Sequence, residues 1–243
     1  MLLASLREEV LAANIALVRS GLVSFTFGNA SGISRKDRLV AIKPSGVPYD
    51  EMTSEMMVIT DLDGRVVESN LRPSSDLPTH LEIYKHFPNV GGVVHTHSAA
   101  ASAWAQAQRP IPCFGTTHAD YFHGPVPVTA PLSSAEIAGE YERETGLAIV
   151  RAFAELEPDS IPAVLVAGHA PFTWGENAAA AVHHAEVLEY VAGMATATIT
   201  INPEASPLIS ELHDRHFLRK HGPNAYYGQS TAARSTSKRG NHG

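Results

Sequence analysis

The chain has 243 residues, 44% of them hydrophobic, enough apolar material for one substantial core, and a single domain over 1–228 is expected. Its 18 Lys and Arg against 25 Asp and Glu give a formal charge of −7, which excludes the basic footprint that a polyanion requires, so no nucleic-acid partner is expected. The lone cysteine, Cys113, allows neither an internal disulfide nor a thiolate metal site and reads as a small buried or half-buried thiol.

Leu3, Leu6, Val10, Leu11, Ala13, Leu17 and Val18 share one face of an opening helix, and Gly21 stands where a left-handed C-cap residue belongs. Arg7, Glu8, Glu9 and Arg19 interrupt that segment, so it is neither a signal-peptide core nor a membrane span; a cytoplasmic protein with no membrane partner is expected. Phe25 to Phe27 and Leu39 to Ile42 read as strands, each running into a turn, Gly28-Asn29 and Pro44-Ser45-Gly46, where backbone amides are exposed. A hairpin is predicted from Met57 through Asp63-Gly64 to Val67.

A second helix begins near Pro78, with Asp76 or Ser75 as its cap or Thr79 and Glu82 as an alternative capping box, and stops before Pro88. Val90 to His97 reads as a strand and Ala99 to Ala107 as an alanine-rich helix. Ser133 and Glu136 form a capping box that opens a helix predicted to run to about Ala154, followed by an apolar strand from Ala163 to Ala167. Helices over Asn177 to Ala197 and Ser210 to His221 follow, and then a Ser/Thr/Gly-rich stretch, 229–243, that reads as a disordered end. Early hairpins interleaved with helices predict an α/β fold, a three-layer α/β/α sandwich around a central mixed, largely antiparallel sheet.

Among the 13 histidines, His86, His183, His184, His213 and His221 fall in helical or helix-end contexts and read as solvated or capping residues. His95-Thr96-His97 is different, because strand residues two apart project to the same face and aim two imidazoles at one point. The pair alone is a weak signal, since exposed strands produce it by chance. His169 follows an apolar strand and Gly168, at the mouth of a sheet where open α/β structures place their sites. Three neutral imidazoles with an open position form the arrangement of catalytic zinc. Asp76 could add a carboxylate ligand, although from local sequence alone it reads first as a helix cap.

Six segments carry a resemblance: Gly28-Asn29-Ala30-Ser31, Lys43-Pro44-Ser45-Gly46-Val47, Pro73-Ser74-Ser75-Asp76, Val94-His95-Thr96-His97-Ser98, Gly168-His169 and Ala225-Tyr226-Tyr227-Gly228-Gln229. In this order they are highly specific together, and from Leu6 to about Gln229 the chain resembles the class II aldolase and L-ribulose-5-phosphate 4-epimerase superfamily. The resemblance implies that His95, His97 and His169 bind zinc, that Asp76 belongs to the metal site, and that Gly28, Asn29, Ser45, Gly46, Ser74 and Ser75 surround a substrate phosphate. Turn amides, small hydroxyls and a helix N-terminus suit a phosphate, and Lys43 adds positive charge beside them. Manganese and cobalt suit the same imidazole set.

Such proteins include aldolases, epimerases, a dehydratase and non-catalytic cytoskeletal relatives. Asp76 stands where similar aldolases carry a longer Glu, and Asp120 and Tyr227 match the acid/base pair of the epimerases. Without the resemblance, Asp120 could be a loop carboxylate and Tyr227 a packing aromatic. The resemblance therefore implies a metal-dependent epimerase that interconverts L-ribulose 5-phosphate and D-xylulose 5-phosphate by breaking and remaking C3–C4. A zinc aldolase of the fuculose-phosphate type is the alternative, and a non-catalytic module on the same fold a more distant one. It also implies a homotetramer with sites shared between neighbours.

Overall fold

The opening helix, α1 (Ala4–Arg19), ends as its sequence predicts, with Gly21 at a φ of 72° and its amide bonded to the Val18 carbonyl. After it come β1 (Asn29–Ser34), β2 (Leu39–Ile42), β3 (Val58–Asp61), β4 (Val66–Glu68), α2 (Leu77–His86), β5 (Gly92–His95), α3 (Ala99–Gln106) and α4 (Thr116–Ala119). The remaining elements are α5 (Ser134–Ala138), α6 (Tyr141–Ala152), β6 (Ala163–Leu165), β7 (Pro171–Gly175), α7 (Ala178–Ile201) and α8 (Ser210–His221). This computed structural model describes residues 1–222, 225 and 226; Tyr227 and the 229–243 stretch lie outside the described residues. Among the described residues, no helix is long and apolar enough to cross a membrane.

Seven strands form one sheet in the order β4-β3-β2-β1-β5-β7-β6. Each of its ladders is antiparallel, and an isolated bridge between Val128 and Leu165 adds a parallel pairing. Alternation along the strands sends side chains to two helical layers. Val40, Ile42, Val58, Val93, Phe172 and Trp174 pack with Leu81 and Tyr84 of α2, Ile149 of α6 and Phe153 just after it. On the opposite face Ala30 and Val94 meet Ala13, Leu17 and Ala181 of α1 and α7, while Ala163 and Leu165 meet Ala101, Leu188 and Ala192. The result is the three-layer sandwich expected from the sequence.

Several boundaries differ. Phe25 to Phe27 is not a strand but a turn, with Phe25 at a φ of 56° and 84% exposed. The strand lies just after it, at Asn29–Ser34, where weak β-formers are held by pairing to β2 on one side and β5 on the other. The Ser133–Glu136 capping box forms, but Gly139 ends that helix after one turn at a ψ of −133°, and a second helix starts at Tyr141. Helix α7 begins where Asn177 caps it, as its sequence predicts, yet runs on to Ile201. Strand β7, with Phe172 and Trp174 buried against the α2 and α6 layer, is not among the predicted strands: Phe172-Thr173-Trp174 alternates, but over too few residues to stand out.

Candidate metal and substrate site

Antiparallel pairing in the order β2-β1-β5-β7 brings the end of β2, the start of β1, the end of β5 and the start of β7 to one edge of the sheet. In register, Asn29 faces His95 and His95 faces Phe172, so side chains far apart in sequence become neighbours across adjacent strands. They project to the α2 side, where that helix begins with Asp76 as its N-cap. A cavity of about 350 Å³ opens there, lined by Gly28, Asn29, Lys43, Ser45, Gly46, Ser74, Ser75, Asp76, His95, His97 and His169, together with Thr26 and Phe27.

The three imidazoles form its floor. Their ring centroids are 4.9, 4.9 and 5.0 Å apart, and one nitrogen from each lies within 4.8 Å of the others. His95 Nδ1 donates to the Pro171 carbonyl at 3.0 Å, which leaves Nε2 with its lone pair, 3.1 Å from His97 Nε2. Two ring nitrogens this close, with Nδ1 of His169 buried and unpartnered among the described residues, need a cation or a shared proton between them. Burial pushes His95 down to about 3 and lowers His169, so both rings are neutral near pH 7, the form that ligates metals. The donor set thus fits a divalent transition metal. Glu189 on α7 accepts the Ala100 and Ala101 amides at 2.7 and 2.9 Å and so pins the start of α3, just after His97.

Asp76 is not bonded as a helix cap; no amide of α2 is held by its side chain, and Asn29 Nδ2 donates to its carboxylate at 2.6 Å instead. Burial pushes its carboxyl up, but His95, His80 and the Asn29 bond outweigh this and leave it below the usual range. Asp76 therefore faces the imidazoles as an anion. Asn29 also donates to Ser74 Oγ at 3.1 Å, linking the first turn to the third.

The other wall is built from two turns laced together, with Ser45 N bonded to the Arg72 carbonyl and Ser74 N to the Lys43 carbonyl, both at 2.9 Å. Lys43 is 2% exposed, its ammonium 4.9 Å from the centre of the Tyr49 ring. Burial lowers its pKa below the ordinary lysine value, and the Asp76 charge offsets only part of this. The Tyr49 hydroxyl donates between the Phe27 and Gly28 carbonyls at 2.9 Å, which fixes the turn entering β1. Gly28 has a φ of 75°, and a Cβ there would sit 2.8 Å from the His95 carbonyl oxygen, so only glycine fits between the two strands.

Asp120 is not in this cavity. It caps the end of α4, where α8 surrounds it: Arg219 donates to both carboxylate oxygens at 3.0 and 2.7 Å, His216 Nδ1 donates at 3.0 Å, and His221 Nε2 donates to its carbonyl at 2.9 Å. Burial pushes its carboxyl up, but these donors outweigh it and hold it below the usual range. Tyr227 lies outside the described residues. The sequence reading also passed over Thr26 and Phe27, which line the cavity, and His80, a fully buried ring one helical turn after Asp76. The spacing of four residues from Asp76 was the available signal for His80. His80 Nδ1 and the Tyr84 hydroxyl bond the same Ser31 Oγ at 2.7 and 2.8 Å, anchoring α2 to β1 behind the site.

Comparison with known proteins follows the same lines. Residues 8–196 match the family model described as the class II aldolase and adducin N-terminal domain. The chain is 54% identical over 224 residues to the L-ribulose-5-phosphate 4-epimerase UlaF of Salmonella paratyphi B, covering 92% of this chain and 98% of that protein, and equally to its counterpart in Salmonella typhi. Among solved structures, an L-fuculose 1-phosphate aldolase superposes with a TM-score of 0.74 at 24% identity, over 87% of this chain and 94% of that one. YgbL of Klebsiella pneumoniae, described as a putative aldolase/epimerase/decarboxylase, gives 0.67 at 25% identity, over 87% and 97% of the two chains.

Proposed function

The chain belongs to the class II aldolase and adducin N-terminal domain family, and on that premise we propose that it interconverts L-ribulose 5-phosphate and D-xylulose 5-phosphate, acting as a 4-epimerase. The carrying observation is that a three-imidazole cluster with a facing aspartate shares one cavity with a lysine and a set of glycine and serine turns. The 54% identity to epimerases over nearly the whole chain selects this reaction within the family.

Inversion at C4 by deprotonating carbon is unfavourable, because the carbonyl at C2 acidifies only hydrogens on C1 and C3. Cleavage of C3–C4 avoids this. The C4 hydroxyl gives up its proton and becomes an aldehyde, and the bonding pair remains on the three-carbon half as an enediolate. Glycolaldehyde phosphate then presents its other face, C3–C4 re-forms, and the new C4 oxygen takes a proton. His95, His97, His169 and Asp76 would hold a divalent metal, zinc first and manganese or cobalt next, which would supply Lewis-acid stabilisation of the negative charge that develops.

The phosphate is bound by Asn29, Ser45, Gly46, Ser74 and Ser75, the Gly28 turn and the Lys43 ammonium, so the two-carbon fragment stays tethered while it turns. One acid/base group serves each face of the aldehyde, and Asp120 and Tyr227 are assigned these roles. Asp120, placed outside the cavity of its own protomer, reaches a site across a subunit contact; a homotetramer with shared sites meets that need.

A coupled assay for D-xylulose 5-phosphate formed from L-ribulose 5-phosphate by metal-loaded protein, with a chelated control, tests the reading. Product that disappears with chelator supports it. Folded, metallated protein that yields none, but releases dihydroxyacetone phosphate from a ketose 1-phosphate, replaces it with the aldolase.

A further inference from the structure

We infer that His123, His213 and Asp214 form a second divalent-metal site, separate from the strand-end histidines, that clips α8 to the loop after α4. One ligand atom from each lies within 4.8 Å of the other two. His123 Nε2 is 2.9 Å from Asp214 Oδ1, and His213 Nδ1 is 3.8 Å from the same oxygen. Tetrahedral ligation with bonds of about 2.0–2.1 Å places donor atoms roughly 3.3 Å apart, so the trio brackets the required spacing. A shared ion requires the His123 ring, which lies within 11° of parallel to His213, to turn until both lone pairs meet; the His123 and Asp214 side chains are 43% and 51% exposed, which leaves them room to turn.

His213 is the fixed member, 14% exposed, with its ring stacked on His123 at 4.9 Å between centroids. Its Nε2 lies 3.1 Å from both the Phe122 carbonyl and the Gly124 amide. One nitrogen cannot donate to the first and accept from the second at once, so these neighbours serve two tautomers of the ring. When Nε2 carries the proton and donates to Phe122, Nδ1 presents a lone pair towards Asp214. That arrangement, a metal on one nitrogen and a backbone carbonyl on the other, is how protein imidazoles are oriented at metal sites.

Two imidazoles and one carboxylate, with no thiolate, suit zinc, nickel or copper(II) and disfavour magnesium and calcium. The residues lie outside the cavity described above, so the role is structural. His213 and Asp214 are on the first turns of α8, the helix whose later residues His216, Arg219 and His221 hold Asp120. His123 lies in the loop that Asp120 opens. A metal between them fastens the helix to that loop independently of any reaction at the strand-end cluster.

The test is titration of metal-free, full-length protein with Zn2+ by calorimetry and with Co2+ by absorption, in wild type, His97→Ala, His123→Ala and Asp214→Asn. Wild type should take two equivalents, and each variant one. His123→Ala and Asp214→Asn, both altering exposed side chains, should weaken one equivalent at least about tenfold and leave the other unchanged. Zn2+ added to His97→Ala should still raise its unfolding temperature, and that rise should vanish when His123→Ala is added. A wild type that takes a single equivalent, lost in His97→Ala, overturns the clip and leaves the first site standing. A second equivalent that persists unchanged in both His123→Ala and Asp214→Asn also overturns it. If His97→Ala still takes two, the strand-end ligand assignment fails instead.

Discussion

Two polar clusters in this molecule are built in opposite ways. At the strand ends, three imidazoles crowd together, His95 and His97 with nitrogens 3.1 Å apart and His169 with a buried nitrogen that has no partner among the described residues. Around Asp120, by contrast, both carboxylate oxygens and the carbonyl receive donors from α8. The first cluster is incomplete without a ligand, while the second is complete within the chain. Unsatisfied buried groups are costly unless something binds them, so the first arrangement favours a bound cation, whereas the second holds one carboxylate ionised and fixed.

Breaking the first cluster should have the largest effect. His97→Ala should lose metal and reduce turnover on the order of 10³-fold, the loss expected when several kcal/mol of charge stabilisation disappear. Full metal content in that variant would remove His97 from the ligand set. Asp120→Asn should keep its metal, measured by elemental analysis, yet lose about 10²-fold in epimerisation as an acid/base group is removed. Undiminished turnover there would take Asp120 out of the mechanism.

Mixing the two variants sharpens the contrast, because each should be nearly inactive alone. If Asp120 serves a neighbour's site, subunit exchange between His97→Ala and Asp120→Asn protein should restore intact sites, roughly a quarter by random assortment. Continued inactivity after confirmed exchange would place both residues in one protomer's site.

Smaller effects test the frame around each cluster. Gly28→Ala forces a left-handed backbone on alanine and drives its Cβ towards the His95 carbonyl, 2.8 Å away. Denaturant unfolding should show a loss of about 2 kcal/mol, and an unchanged midpoint would mean that the strand ends move apart freely. The smallest effect concerns acid. Asp120 is held below the ordinary carboxylate value of 3.8, so its stabilisation is present above that value and is lost as pH falls through the lower folded one. Stability measured from pH 5 to pH 2 should therefore fall less steeply in Asp120→Asn than in wild type.

Much of the first cluster was legible in the chain, because its parts are local signals. His95-Thr96-His97 marks itself by the alternation of the predicted strand, although β5 ends at His95 and His97 stands two residues beyond it, and Ser74-Ser75-Asp76 marks itself by its place before a helix. His169 could be added as a third ligand because an apolar strand and a glycine precede it. The second cluster was not legible. Asp120 was named from a family resemblance, while His216, Arg219 and His221, nearly a hundred residues later, looked like an ordinary polar helix face. His213 read as a solvated helix residue, and nothing near it in sequence points to His123.

Helix ends, turns and strand faces follow from short-range chemistry: Gly21 ends α1, Asn177 starts α7, and the Ser133–Glu136 box forms although its helix stops at Gly139. These follow from backbone sterics and caps within a few residues, which any stretch of chain carries with it. The strand order β1-β5-β7, the turning of Asp76 from a cap towards the imidazoles, and the grip of α8 on Asp120 came with folding. They depend on pairings between residues 45 to 100 positions apart, whose closeness is set by sheet register and layer packing and leaves no mark on the residues between them.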